Sequence, residues 1–139
     1  MPDEKNLEKR ACNRFRIPGA TVRTKRPKSL FRKATFSSDS SPLLDLSRGG
    51  IRFLTSTKLP LDAAVTIEIT IPGEDLPLIF LGHVRWFAPH PDPILRYQFG
   101  IQIDPYGDRE GYNPPEILDR IIGLEQACAA ESDAPEVAT

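Results

Sequence analysis

The most regular feature of the chain is alternation. Val65, Ile67, Ile69 and Ile71 alternate with Thr66, Glu68 and Thr70. Leu95, Tyr97, Phe99, Ile101 and Ile103 alternate in the same way with Arg96, Gln98, Gly100, Gln102 and Asp104. A period of two sends every apolar side chain of a strand to one face, so each run reads as a strand with one buried side. Residues 78–86 between them are more apolar throughout (Ile79, Phe80, Leu81, Val84), the pattern of a strand buried on both faces or at a barrel turn. Trp86 shares the parity of Leu78, Phe80 and Val84, which assigns it to core or barrel-end packing. Pro72-Gly73 followed by Glu74-Asp75 predicts a hairpin turn, and Pro89, Pro91 and Pro93 mark the next connection.

Upstream, residues 20–26, 33–38 and 51–55 read as shorter strands. The turn Pro27-Lys28-Ser29 and a polar loop at 37–41 separate them. Short strands at near-regular spacing, with turn chemistry between them, predict an all-β fold, a small closed antiparallel barrel. The pattern changes only at the end. Asn113 suits a helix cap, Pro114 the first helical position, and Glu116 follows the cap by three residues. Ile117, Leu118, Ile121, Ile122 and Cys128 then form an apolar stripe, so residues 114–128 read as one amphipathic helix packed on the barrel. The resulting division is a flexible segment at 1–8, a domain at 9–128 and a disordered tail at 129–139, where little remains to bury.

Composition sets bounds on this picture without altering it. A chain of 139 residues holds one domain, and 40% hydrophobic with 27% charged residues is ordinary for a soluble one. The longest apolar run, 76–81, is six residues broken by Pro77, too short to span a bilayer. The start, MPDEKNLEKR, lacks the apolar stretch of a secretory signal. Cys12 and Cys128 form no CxxC pair and read as reduced thiols, so the expected compartment is the cytoplasm.

Charge does change the picture. The net charge is −1, yet residues 1–36 hold eleven Lys or Arg and three acids, while the rest holds seven and sixteen. So uneven a distribution fits a basic surface for an anionic partner, a phosphate ligand or nucleic acid, or else an arm that pairs with the chain's own acidic half.

Two short segments carry the candidate chemistry. In Lys9-Arg10-Ala11-Cys12-Asn13-Arg14, the arginines are four apart, about 13 Å in an extended chain. Each guanidinium can meet a phosphate or stack on a base. In Leu44-Asp45-Leu46-Ser47-Arg48-Gly49-Gly50, Asp45 and Ser47 face the same way at a strand end. An aspartate can accept from a guanine edge, with a serine hydroxyl beside it. Gly49-Gly50 leaves room for a tight turn or for a ligand, although a Gly-Gly bulge with Asp45 and Ser47 as turn residues would explain the same letters.

Taken together, an R-x-x-x-R pair, some thirty β-type residues and D-x-S-x-x-G resemble the PilZ domain family over about residues 8–125, with GGIRF, GHVRW and Phe99-Gly100-Ile101 adding to the likeness. The resemblance implies a six-stranded barrel that acts as a receptor for cyclic di-GMP, with no enzymatic activity and no cofactor. It implies that Arg10 and Arg14 contact phosphates and guanine faces, that Asp45 and Ser47 read a guanine, and that Gly50 keeps the turn open. Lys9, Arg16, Arg48 and Gly49 are accessory candidates. Lys9 stands where many members carry a further arginine, and lysine lacks the planar fork. The ligand itself, with two phosphates and two guanines, calls for cations, stacking surfaces and a carboxylate, and these segments offer all three. An unidentified downstream protein partner is implied as well.

Other chemistry is thin. His83 and His90 have no companions at metal-ligand spacing. Asp45, Ser47 and His83 lack a G-x-S-x-G elbow, and no phosphate-binding glycine loop is present. Trp86 has a second possible use as a stacking platform for guanine. The competing function is a barrel that binds single-stranded nucleic acid along residues 23–33, but only Phe31 and Phe36 could supply stacking there. A third reading is a degenerate family member that binds protein alone.

Overall fold

The computed structural model describes residues 14–27, 36 and 40–133. Six strands form: β1 (Thr21–Lys25), β2 (Ser41–Leu46), β3 (Gly50–Thr55), β4 (Ala64–Thr70), β5 (Leu78–Pro89) and β6 (Tyr97–Ile103). All neighbours are antiparallel, and the order β1-β2-β3-β6-β5-β4 closes on itself because β4 also pairs with β1. Closure removes the sheet edges that would otherwise expose unpaired backbone groups. The alternating residues fill the interior as expected. Val65, Ile67, Ile69, Phe99, Ile101 and Ile103 are all buried with Val22, Leu46, Ile51 and Phe53.

The second strand differs from expectation. Residues 33–38 lie outside the described residues except Phe36, which makes a single bridge to Lys25. The strand between β1 and β3 is instead β2, whose sequence SPLLDL hides its period behind a bulge. Leu43 pairs with Phe53 and Asp45 with Arg52, so Leu44 is an extra residue and parity reverses across it.

The final element, α1 (Pro115–Asp133), runs further than the apolar stripe suggested and takes in residues 129–133 of the expected tail, while residues 134–139 lie outside the described residues. Ala129 and Ala130 are strong helix formers, which explains the extension. Ile121 is fully buried, with Ile117, Leu124 and Cys128 packed beside it against the barrel core. Asn113 does not cap this helix with its side chain. Its Nδ2 donates to the carbonyls of Leu81 (3.0 Å) and Asp104 (2.9 Å), and its Oδ1 accepts from the Leu81 amide at 2.7 Å. A fully buried amide of this kind ties β5 to the residue after β6 and fixes where the helix begins.

Candidate functional site

Arg14, the last residue of the first motif, meets the second motif at one end of β2. Phe15 is buried in the core, and its amide and carbonyl both pair with Leu46 at 2.9 Å. With Phe15 turned inward, its neighbour Arg14 turns outward beside the end of β2. There Arg14 Nη1 donates to Asp45 Oδ1 at 2.9 Å. Thirty-one residues separate these side chains in sequence, and the fold makes them partners.

Asp45 has a second partner that the sequence reading missed. Arg52, its register neighbour on β3, donates from Nε at 2.8 Å and also from Nη2, both to Oδ2. The Asp45 side chain is 6% exposed and Arg14 is 49% exposed, so the acid lies beneath its arginines. Burial pushes the carboxyl pKa up. Hydrogen bonds and charge from Arg52 and Arg14 more than offset it, so Asp45 titrates below the ordinary carboxylate range. A signal for Arg52 was present: a hairpin turning at Arg48-Gly49 pairs 47 with 50, 46 with 51 and 45 with 52.

Ser47 and the glycines have more structural roles than expected. The Ser47 amide donates to the Gly50 carbonyl at 2.8 Å. The Ser47 Oγ accepts from the amides of Gly49 (3.3 Å) and Gly50 (3.2 Å) and donates to the Gly50 carbonyl at 3.4 Å. The hydroxyl therefore spends its one donor and two acceptor positions on the β2–β3 turn. Gly50 is glycine because of a neighbouring strand, since a Cβ there would lie 2.6 Å from the Ile101 carbonyl oxygen. Gly49 has open space where its Cβ would stand, and it lines the cleft described next.

That cleft has a volume of about 370 Å³, within the range of small-molecule sites. Arg14, Ser47 and Gly49 form its β2 side, and Arg85, Trp86 and Gln102 its β5 and β6 side. Trp86 is thus not a core residue. β5 carries a bulge between Val84 and Trp86, which reverses the inside–outside parity, leaving the indole on the exterior and 38% exposed. Phe87 shares the face of its register partner Phe99, the rings 5.8 Å apart, and remains 36% exposed near the end of β5. Two large aromatics in succession after an alternating run, Trp86-Phe87, were the trace of this reversal. The indole lies against Gly100, where a Cβ would fall 2.2 Å from Nε1. Arg52 pairs with Gly100 on the other side, so Arg52, Gly100 and Trp86 form a row across β3, β6 and β5.

The remaining candidates separate. Lys9 and Arg10 lie outside the described residues. Arg16 is exposed and is not part of the cleft lining, and its carbonyl accepts from Cys128 Sγ at 3.4 Å. Arg48 points away from the cleft, its Nη2 donating to Glu125 on α1 at 3.1 Å, while its carbonyl accepts from the Tyr106 hydroxyl at 2.8 Å. Glu125 was not singled out in the sequence because helical spacing alone cannot say which barrel residue it faces. Phe36 lies beneath Arg23 and Lys25, with cations 5.4 and 4.8 Å from its centroid, so this aromatic of the basic strip is already covered. His83 Nδ1 sits 2.7 Å from Asp104 Oδ1, apart from Asp45 and Ser47, so these residues form no triad. Among the described residues there is no metal-ligating cluster, and no helix is long and apolar enough to cross a membrane.

A search of curated proteins finds no match. Among solved structures, the Bacillus subtilis inhibitor of motility (MotI/DgrA) is similar at 14% identity and a TM-score of 0.45, over 82% of this chain. The match takes in 49% of that structure's length, so the chain spans about half of it. The PilZ domain family model matches residues 8–118, which takes in the whole barrel and the start of α1. On that match the chain belongs to the PilZ domain family.

Proposed function

We propose that this protein is a non-enzymatic receptor for cyclic di-GMP that passes ligand occupancy to a protein partner. The observation that carries the reading is Arg14, which lines a cleft walled by Trp86 and is bonded to the buried Asp45, so that a cation for phosphate, an acid for a guanine edge and an aromatic face lie close together. In this reading Arg14, with Arg10 beyond the described residues, takes the phosphates and covers a guanine face. Asp45 accepts from the guanine N1–H and N2–H₂. Ser47 and Gly50 shape the turn against which the base lies, Gly49 keeps the approach open, and Trp86 offers a stacking surface.

Arg48 supports the signalling half. It belongs to the turn at the cleft yet is bonded to α1, so a shift of the turn would be felt at the helix. The covered Phe36 argues against single-stranded nucleic acid, which needs free aromatic faces.

Isothermal titration of cyclic di-GMP into wild type, Arg14→Ala and Asp45→Ala tests the proposal. The expected result is micromolar or tighter binding by wild type, weakened by about tenfold or more in each variant, with linear GpG far weaker. Absence of binding by wild type at any practical concentration would remove the ligand while leaving the fold. Hydrogen exchange of residues 1–16 and of α1, slower or redistributed with ligand, tests the coupling, and identical exchange in both states would sink it.

A further inference from the structure

The carboxylate of Asp45 has about four acceptor positions, two on each oxygen. Among the described residues three are taken. Arg52 uses both positions on Oδ2 through Nε and Nη2, and Arg14 uses one on Oδ1. A guanine edge presents two donors, N1–H and N2–H₂, so one remaining position is not enough. The two arginines are not equivalent as candidates to leave. Arg52 projects from the middle of a paired strand, bonded across the register to Asp45. Among the described residues Arg14 makes a single side-chain hydrogen bond, is half exposed, and precedes the first pairing of its segment with β2, at Phe15.

We propose that Arg52 is a positioning residue that fixes Asp45 through Oδ2 while Arg14 is its exchangeable cover. When Arg14 withdraws from Oδ1, both positions of that oxygen are freed, and the guanine donors replace the guanidinium. The inference rests on the cyclic di-GMP reading and assigns a division of labour within it. Arg14 exchanges a carboxylate for a phosphate, one charge-assisted partner for another, so its departure is offset. Arg52 touches no ligand atom in this scheme. Its work is to hold the acid ionised and aimed, against the upward pressure that burial places on its pKa.

The groups bearing on Asp45 are Arg52 from β3 and Arg14 from the segment before β1, while Arg48 of the adjoining turn is bonded to Glu125. Guanidiniums do not titrate between about pH 4 and 8. An acid-side loss of binding in that window that tracks the titration of the Asp45 carboxyl would therefore report Asp45, and one that does not would report the Glu125 carboxylate behind Arg48.

The test is titration calorimetry with cyclic di-GMP from about pH 4 to 8 on wild type, Arg52→Ala and Arg52→Lys, beside carbon-13 titration of the Asp45 carboxyl in the ligand-free proteins. The expected outcome is binding by wild type that holds flat to the acid end. Arg52→Ala should bind about tenfold or more weakly at neutral pH and lose further affinity as pH falls, with the Asp45 midpoint raised. Arg52→Lys, which keeps the charge but not the fork, should lie between them in affinity and midpoint. If Arg52→Ala does not fold, the lysine variant carries the same comparison. Binding by wild type with an unchanged pH profile and midpoint in the Arg52 variants overturns the proposal, even if affinity drops, because general structural damage would do that. No binding by wild type overturns the receptor reading itself, a separate outcome visible before any variant is compared.

Discussion

For Asp45, burial and two arginines act in opposite directions, and the arginines prevail. A carboxyl whose folded pKa is lowered adds stability that is present above the unfolded value, near 3.9, and is lost as pH falls through the folded one. Urea denaturation should therefore show wild type losing stability as pH falls below about 4, with the gap to Asp45→Asn narrowing as it does. A constant gap would mean that the ion pairs contribute nothing to folding. Gly100 is the second residue whose side chain, or lack of one, decides a local arrangement. Gly100→Val places methyl groups where the indole of Trp86 now lies. Because Trp86 is on the surface, the melting temperature should move by only a few degrees, corresponding to about 1 kcal/mol, while affinity for cyclic di-GMP falls by about tenfold. Unchanged affinity would show that Trp86 is not part of the recognition surface.

At the scale of elements, Asn113 links three of them with one side chain. Asn113→Ala leaves the Leu81 amide and the Asp104 carbonyl without this partner, while the Leu81 carbonyl keeps the Asp104 amide, and the change should cost about 2–4 kcal/mol by urea denaturation. A loss below about 0.5 kcal/mol would show that water substitutes freely there. Asn113 also illustrates what the sequence concealed. Its letter and place before two prolines fit a helix cap, but which backbone groups an amide reaches is set by where β5 and β6 end. Strands β4 and β6 were legible because uninterrupted alternation states directly which side chains go inward. β2 and the latter half of β5 were not, since a bulge in each reverses parity and the alternation no longer identifies the inner face. The site divided along the same line. Arg14 and Asp45 stand in recognisable motifs, whereas Arg52 and Trp86 matter through pairing across strands, which spacing along one strand does not reveal.

The whole molecule is a closed barrel with a helix laid across one part of it, and the candidate site lies on the barrel's exterior. Ligand binding to such a folded surface draws on the global unfolding equilibrium, since the unfolded chain has no cleft. Cyclic di-GMP at one hundred times its dissociation constant should raise the unfolding free energy by about 2.7 kcal/mol, visible as a rise in Tm of several degrees that linear GpG does not reproduce. No shift despite binding by calorimetry would mean that the unfolded chain, through its basic N-terminal third, binds the anion equally well. The helix enters the same account. Ile121 is its fully buried anchor, and Ile121→Ala should cost about 2–4 kcal/mol.

One further consequence follows from the position of the indole on Gly100. The chain contains a single tryptophan, and it stands at the cleft, partly open to water. Excited at the red edge of its absorption, where the tyrosines and phenylalanines are dark, the protein emits from this one place. A purine stacked on the ring would quench and shift that emission, so the protein carries its own optical reporter of the site and a titration needs no label. The same light would register Gly100→Val as a changed environment before any ligand is added.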